Sequence, residues 1–279
     1  MTKYAYDFLE VPEGTSKPRR DGMTFVRDPG MGVNEMRMFL ESSAAFLDYV
    51  KFRNVTPRLL PEELIKQKIA LCHEFDVKVM SGGMFFQFSW LQRKLDAYFN
   101  YIAEVGYSAA EVSFGLTDIP RDDVLNSIRR LNELGITPMF EWGRKYPTYE
   151  FDLEEAWDEL KDVIDAGVGL VVFEQGELEL AIDRGKKEQG KVKEPLVELA
   201  ERVGRERVVF EVNKNPHIAW VLQTFGPRAN LGPNLAPEQV LWIEPMRRGL
   251  GREVRYTALE KWTEPNNDPN ARLRRRADV

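Results

Sequence analysis

Short apolar runs alternate along this chain with longer amphipathic stretches. Runs of four to six largely β-branched or aromatic residues are typical of buried strands, and the longer stretches have the 3.6-residue period of helices. Neighbouring runs are roughly 23 to 37 residues apart, enough for a strand, a loop and a helix. Repeated about eight times, this order predicts an α/β fold, a (β/α)8 TIM barrel, with an open doubly wound sheet as the alternative.

Eight strands are predicted. They are "TFVRD" ending at Asp28, "FLDYVKF" containing Lys51, "VKVMS" ending at Ser81, "AAEVSF" around Ser113, and four ending in glutamate, "TPMFE", "LVVFE", "RVVFE" and "QVLWIE". No linker-like break divides the pattern. Residues 1–279 are therefore predicted to form one barrel domain, with 1–20 and 256–279 as flanking segments outside it.

The glutamates that end four predicted strands raise the question of why a buried strand should finish on a charge. Carboxyl ends of parallel barrel strands converge on one mouth. The charged residues predicted to gather there are Asp28, Lys51, Glu141, Glu174, Glu211 and Glu244. Crowded carboxylates are costly unless cations intervene, so they predict a divalent metal, basic residues or both. The alternative for any one glutamate is an outward-facing cap or loop ion pair.

Composition narrows the partners. Of 279 residues, 43% are hydrophobic and 30% charged, which is globular composition, and no apolar run is long enough for a bilayer. The start of the chain lacks a signal-peptide pattern, and the single cysteine, Cys72, fits a reducing cytoplasm. A net charge of -6 argues against a general nucleic-acid binder. We expect a cytoplasmic protein without membrane or nucleic-acid partners, and interpret the basic end "ARLRRRADV" as a solvated tail.

The scarcity of histidine and cysteine restricts the chemistry. With two histidines and one cysteine, a structural zinc cluster or a Ser/His/Asp triad has few candidates. Acid and base work then falls to carboxylates and lysines. Lys51, at a strand end among apolar neighbours, suits proton transfer with a lowered pKa, or else forms a salt bridge to Asp48 or to a neighbouring strand's carboxylate.

Three loops are candidates for holding an anion. "EWGRK" places Arg144 and Lys145 just beyond Glu141. "FGPRANLGPN" offers glycines and backbone N–H groups before the predicted last strand, where TIM barrels often bind phosphate. "KPRRDGMTF" either closes over a doubly charged substrate or stays exposed.

An ordered set of motifs carries a family resemblance over nearly the whole chain. The motifs are "KPRRDGMTFVRDPG", "LDYVKF", "GGMFF", "AAEVSFG", "FEWGRK", "VVFEQGE", "GKVKE", "VVFEV", "ANLG" and "IEPMRRGLGRE". In order and spacing the chain resembles the phosphosulfolactate synthase family. That resemblance implies a (β/α)8 barrel and a lyase that adds sulfite to phosphoenolpyruvate with Mg²⁺.

The resemblance also implies a mechanism and site residues. A nucleophile adds to C3 of the enol phosphate, the resulting aci-carboxylate is held by Mg²⁺ and cations, and an acid protonates C2. The implied catalytic residues are Lys51, Lys145 and Glu141, with Lys51 or Lys145 as the proton donor, and the implied metal ligands are Glu141, Glu174 and Glu211. The implied substrate-binding residues are Arg19, Arg27, Asp28, Arg53, Ser113, Asn230, Gly232 and Arg247. A homo-oligomer is expected by the same resemblance.

Departures from the family pattern bear on the substrate. Met84 and Gln87 stand where the family pattern has threonine and glutamate, Phe114 replaces an aspartate, Gly176 an arginine, and Arg53 a glycine. The apolar gains at Met84, Phe85 and Phe114 favour a second substrate less polar than sulfite. Two alternatives follow: another anionic carboxylate or phosphate substrate, or a non-catalytic interaction or stress protein, as the family has plant relatives linked to heat stress.

Overall fold

Eight parallel strands close into a barrel in chain order, which confirms the predicted (β/α)8 TIM-barrel fold. The computed structural model describes residues 4–115, 117–188 and 195–262. The strands are β1 Thr24–Arg27, β2 Tyr49–Phe52, β3 Lys78–Ser81, β4 Ala109–Val112, β5 Thr137–Trp142, β6 Leu170–Phe173, β7 Val208–Phe210 and β8 Asn230–Leu235. Each pairs in parallel with its neighbours, and β8 pairs with β1.

Helices surround the strands. They are α1 Val33–Ser43, α2 Glu62–Glu74, α3 Gly83–Leu91, α4 Leu95–Val105, α5 Arg121–Glu133, α6 Leu153–Asp165, α7 Gln175–Glu188, α8 Pro195–Val203, α9 Asn215–Phe225 and α10 Gln239–Arg247. Short 3₁₀ helices cover Ala44–Phe46, Thr56–Leu59, Arg205–Arg207 and Thr257–Trp262. Across the described ranges, none of the helices has the length and apolar character needed to cross a bilayer.

The two faces of the strands form separate cores. Inward residues such as Phe25, Tyr49 and Met139 fill the barrel, and the rings of Phe25 and Tyr49 stack with centroids 4.5 Å apart. Outward residues such as Val26 and Phe140 pack under the helices. Because side chains alternate along a strand, the next inward position beyond the inner core opens into the mouth at the carboxyl ends of the strands.

The predicted strand over "QVLWIE" is wrong, because residues 239–247 form α10. The last strand is instead "NLGPNL", which contains Gly232 and Pro233, residues usually excluded from strand interiors. The glycine is required here by close approach, since a Cβ at 232 would lie 2.4 Å from the Cβ of Phe25 on β1. Glu244 therefore ends no strand, and on α10 it accepts from Arg248 Nε at 2.8 Å.

The flanking segments are described only in part. Residues 4–20 contribute no strand or helix to the barrel. Arg19 anchors this segment near the start of β2, through Asp48 Oδ1 at 3.1 Å. The motif "GKVKE" at 190–194 and the basic tail at 271–279 lie outside the described residues.

A buried ion pair joins β1 to α2. The ammonium group of Lys68, fully buried on α2, bonds the carboxylate of Asp28 and lies 5.1 Å from the centre of the Phe52 ring. The other Asp28 oxygen accepts from the backbone N–H groups of Gly30 and Met31. Asp28 therefore faces the helix layer and not the barrel mouth.

Replacing Lys68 with methionine is expected to lower the free energy of unfolding by about 3 kcal/mol, because it strands a buried carboxylate. Urea denaturation of the wild type and the variant measures the change. Lys66→Met is the matched control on the same helix. The Lys66 ammonium lies 2.5 Å from the carboxylate of Glu62, which is exposed to solvent. Loss of this surface ion pair should cost less than about 1 kcal/mol of stability. Equal losses from the two variants would contradict a stabilising role for the buried pair.

Candidate active site

A cavity of about 280 Å³ opens at the carboxyl ends of the strands. Charged and amide side chains dominate its lining, which includes Arg27, Lys51, Arg53, Gln87, Glu111, Glu141, Lys145, Glu211, Asn213 and Asn234. Backbone from Gly82 and Gly83, at the start of α3, completes one wall. We call this cavity the mouth site. It combines buried anions with cations in a space large enough for a small, highly charged molecule.

Three glutamates from consecutive strands form a carboxylate cluster. Glu141, Glu174 and Glu211 each place a carboxylate oxygen within 4.8 Å of the others, and all three are buried. Glu141 belongs to β5, and the other two directly follow β6 and β7. Neighbouring parallel strands in register bring their carboxyl ends together, so this convergence answers why buried strands end on a charge.

The donor set of this cluster fits a hard divalent cation. Asn234 Nδ2 donates to Glu211 Oε1, while Glu211 Oε2 has no hydrogen-bond partner in the part of the chain that the structure describes. Burial raises the pKa of Glu141 to about 7, with repulsion from Glu111 and Glu211 adding to it. Burial likewise raises the pKa of Glu211 to about 7 and raises that of Glu174. Buried carboxylate oxygens gathered at one point are the ligands that Mg²⁺ or Ca²⁺ prefers, and such a cation would stabilise their charged forms.

These raised pKa values predict how stability of the metal-free protein depends on pH. In the folded protein the pKa of Glu141 and that of Glu211 are about 7, against about 4.5 for a glutamate in solution. The folded state therefore binds more protons between these values, so its stability should fall as pH rises from about 5 to 7.5. Urea denaturation in EDTA measures this slope. The Glu141→Gln variant should flatten it, and an unchanged slope in that variant would contradict the assignment.

Lys51 forms an ion pair with a carboxylate that the sequence analysis did not name. Its ammonium lies 2.8 and 2.9 Å from the two carboxylate oxygens of Glu111, which is buried on β4. Glu111 Oε2 also accepts from Gly83 N at 2.7 Å. Burial alone would lower the pKa of Lys51, but Glu111, Glu211 and Glu141 outweigh it and raise that pKa. The expectation of a lowered pKa is therefore wrong. Lys51 does form a salt bridge, but to Glu111 on β4 and not to Asp48 or to a strand that pairs with β2.

Lys145 reaches the carboxylate cluster from the loop after β5. Its ammonium lies 3.4 Å from Glu141 Oε1 and 3.5 Å from Glu174 Oε2, and its side chain is 43% exposed. Burial opposes its charge, but the pKa of Lys145 is raised because Glu141 and Glu174 attract the ammonium more strongly. Lys145 is thus a protonated group in contact with both solvent and the cluster.

Other predicted residues complete the rim. Arg27 and Arg53 line the mouth site beside Asn54, and Arg27 Nη1 donates to Asn234 O at 3.4 Å. Ser113 lines it with its hydroxyl 2.7 Å from Gln87 Nε2. Arg27 and Arg53, on or after β1 and β2, place positive charge across the barrel from the carboxylate cluster, and Ser113 adds a polar group beside it.

Several predicted substrate-binding residues are not brought to the mouth site. Arg247 donates to the carbonyls of Met23 and Ala229, and Asn230 accepts from Met23 N at 3.0 Å. Arg19 binds Asp48, which precedes β2. All three therefore lie at the amino ends of the strands, the opposite end of the barrel. Gly232 is buried against β1, and Asp28 faces α2.

Of the apolar departures, only one reaches the mouth site. Met84 lines it at the start of α3. Phe85 instead lines a separate cavity with Tyr98 and Tyr101. Phe114 packs against Phe140, with the centres of the two rings 5.6 Å apart. The interpretation that all three make the substrate site less polar is therefore restricted to Met84.

Comparison with known proteins agrees with the resemblance. The family model for (2R)-phospho-3-sulfolactate synthase matches residues 12–253. The phosphosulfolactate synthase of Methanocaldococcus jannaschii is 32% identical over 82% of this chain and 92% of its own. That of Methanothermobacter thermautotrophicus is 30% identical over 88% and 95%. Protein HEAT-STRESS-ASSOCIATED 32 of Arabidopsis thaliana is 24% identical over 88% and 93%.

Proposed function

The chain belongs to the (2R)-phospho-3-sulfolactate synthase family, and from this premise we propose that it is a lyase adding sulfite, or a related nucleophile, to phosphoenolpyruvate with the help of Mg²⁺. The observation that carries the proposal is the convergence of Glu141, Glu174 and Glu211 beside Lys51 and Lys145. A barrel without an anionic, metal-assisted ligand gains nothing from burying these like charges together.

Proton delivery is assigned to Lys145. When the nucleophile bonds to C3 of phosphoenolpyruvate, the π electrons of C2=C3 move towards the carboxylate, and C2 must then take a proton. Lys145 is protonated, makes only long contacts to Glu141 and Glu174, and can regain a proton from solvent. Lys51 is hydrogen-bonded to both carboxylate oxygens of Glu111. We therefore assign it the role of a fixed positive charge facing the substrate carboxylate, and not that of the proton donor.

The remaining groups hold and orient the substrate. Glu141, Glu174 and Glu211 would hold Mg²⁺. When bound, Mg²⁺ supplies Lewis-acid stabilisation of the negative charge that develops on the substrate oxygens. Arg27 and Arg53 line the rim of the mouth site opposite these glutamates, and we assign them to the phosphate and the incoming anion.

Calorimetric titration of phosphoenolpyruvate into the protein tests this assignment of the mouth site. Heat of binding is expected with Mg²⁺ and should largely disappear in EDTA. The Arg53→Gln variant should bind more weakly than the wild type, because it removes a cation from the rim. Equal binding with and without Mg²⁺ would contradict metal-assisted recognition.

A second candidate is the same addition with a nucleophile that is less polar than sulfite. It is favoured by Met84, which puts an apolar side chain into the mouth site. Each nucleophile of a panel is mixed with the protein, phosphoenolpyruvate and Mg²⁺. The nucleophile with which phosphoenolpyruvate is consumed decides between the two candidates. Consumption with none of them would favour one of the two alternatives, another anionic carboxylate or phosphate substrate or a non-catalytic protein. The homo-oligomer and the cytoplasmic location remain predictions.

A further inference from the structure

Lys145 stands on a loop, and a second ion pair outside the mouth site determines where that loop lies. Glu177, buried in the first turn of α7, accepts from Arg144 three times: from N at 3.1 Å, from Nε at 2.7 Å and from Nη2 at 3.2 Å. A carboxylate bound to both the backbone and the guanidinium of one residue fixes that residue's position and direction.

Two glycines bring the loop and α7 into direct contact. A Cβ at Gly176 would lie 2.4 Å from Arg144 O and 2.6 Å from Lys145 O, so no side chain fits between α7 and this backbone. Gly143 has a φ of +110°, and a Cβ there would lie 2.8 Å from Glu177 Cγ. The backbone on both sides of Arg144 is thus pressed against the first turn of α7.

The same arrangement ties Lys145 to the carboxylate cluster. Glu177 N donates to Glu174 O at 3.2 Å, so the helix turn that holds the loop is continuous with a proposed metal ligand. The Lys145 side chain crosses Gly115, whose Cβ would lie 2.9 Å from Lys145 Cε. With its backbone held and its chain passing over a glycine, Lys145 is directed to Glu141 and Glu174.

We propose that Glu177 is a positioning residue, which holds the 143–146 loop through Arg144 so that the Lys145 ammonium stays in the mouth site. The proposal rests on the proposed function, in which Lys145 gives the proton. Neither Glu177 nor Arg144 lines the mouth site; they line a separate cavity of about 250 Å³ with Trp142 and Tyr149. Their effect on the reaction is therefore indirect, and we assign it to the position of Lys145.

Kinetics in two backgrounds test this inference. Glu177→Ala should lower kcat for phosphoenolpyruvate by about 10- to 100-fold, the scale of a misplaced catalytic group, with a small change in KM. In a Lys145→Met background the same substitution should cost nothing further, because the group it positions is absent. Equal losses in both backgrounds would overturn the proposal. Arg144→Lys, at a half-buried position, should reproduce the loss in part.

Limited trypsin digestion gives a readout that does not depend on turnover. We call the contacts between Glu177 and Arg144 the clamp. Cleavage after Arg144 and Lys145 should accelerate several-fold in Glu177→Ala, because the 143–146 loop can open without these contacts. Glu179→Ala is the matched control, since Glu179 lies on the same helix but bonds Lys214 at 2.7 Å instead of Arg144. Cleavage at the wild-type rate would overturn the clamp. Cleavage that accelerates in an enzyme without turnover would support the clamp and contradict the proposed reaction.

Discussion

Replacing Lys145 with methionine is expected to lower turnover of phosphoenolpyruvate by about 10²- to 10⁴-fold, the usual contribution of a positioned general acid. The lysine is the protonated group that touches both solvent and the carboxylate cluster, through Glu141 at 3.4 Å and Glu174 at 3.5 Å. Methionine keeps a similar length without the charge or the proton. Steady-state kinetics with Mg²⁺ at saturating nucleophile measures the loss.

Two observations would separate this loss from general damage. Lys66→Met removes a half-buried lysine on α2, far from the mouth site in the fold, and should leave turnover unchanged. The Lys145→Met protein should still unfold in one cooperative urea transition, although at a lower urea concentration because the carboxylate cluster loses a cation. If Lys145→Met kept most of its turnover, Lys51 would be the remaining proton donor, and the roles assigned to the two lysines would have to be exchanged.

Replacing Glu211 with glutamine should change metal binding and stability in opposite directions. Loss of one of three carboxylates is expected to weaken Mg²⁺ binding at least about 10- to 100-fold, the range for groups that merely support metal ligands. The metal-free variant should unfold at a higher urea concentration at pH 7.5, because burial raises the pKa of Glu211 and its charge is unfavourable there. Glutamine can still accept the hydrogen bond from Asn234.

Titration calorimetry with Mg²⁺ and urea denaturation in EDTA measure the two effects. Glu244→Gln is the matched control, because Glu244, on α10, pairs with Arg248 and lies outside the mouth site. That variant should bind Mg²⁺ like the wild type and gain no stability. A Glu211→Gln protein that lost stability in EDTA and kept its Mg²⁺ affinity would show that this glutamate is structural.

The parts of the fold that sequence predicted are those where local pattern and barrel geometry agree. Strands β5, β6 and β7 each carry a buried apolar run that is followed by a glutamate. The carboxyl ends of these strands could therefore be predicted from the sequence. The last strand was missed because Gly232 and Pro233 give "NLGPNL" the composition of a turn. The close approach of Phe25 on β1 explains the glycine, and it is a long-range contact that the local sequence does not show. The short apolar run in α10 has strand length, and periodicity does not separate a strand from a helix over so few residues.

The candidate site was predicted in part for a similar reason. The glutamates that terminate apolar runs were visible, whereas Glu111 stands inside "AAEV", where its neighbours suggest a buried strand and nothing more. Alternation could have found it, because Ala109 faces inwards and Glu111 is two residues later. Alternation also distinguishes Arg27 from Asp28. Arg27 is two residues after the inward Phe25 and lies on the inner face, whereas Asp28 faces Lys68. The positions of Arg19 and Arg247 depend on long-range contacts that no local pattern contains.

The most direct test of the proposed reaction is ³¹P NMR of phosphoenolpyruvate mixed with the protein, sulfite and Mg²⁺. The enol phosphate signal should be replaced by that of an alkyl phosphate ester, and the replacement should stop in EDTA and in the Lys145→Met variant. Persistence of the phosphoenolpyruvate signal with sulfite and with every other nucleophile of the panel would contradict the proposed activity.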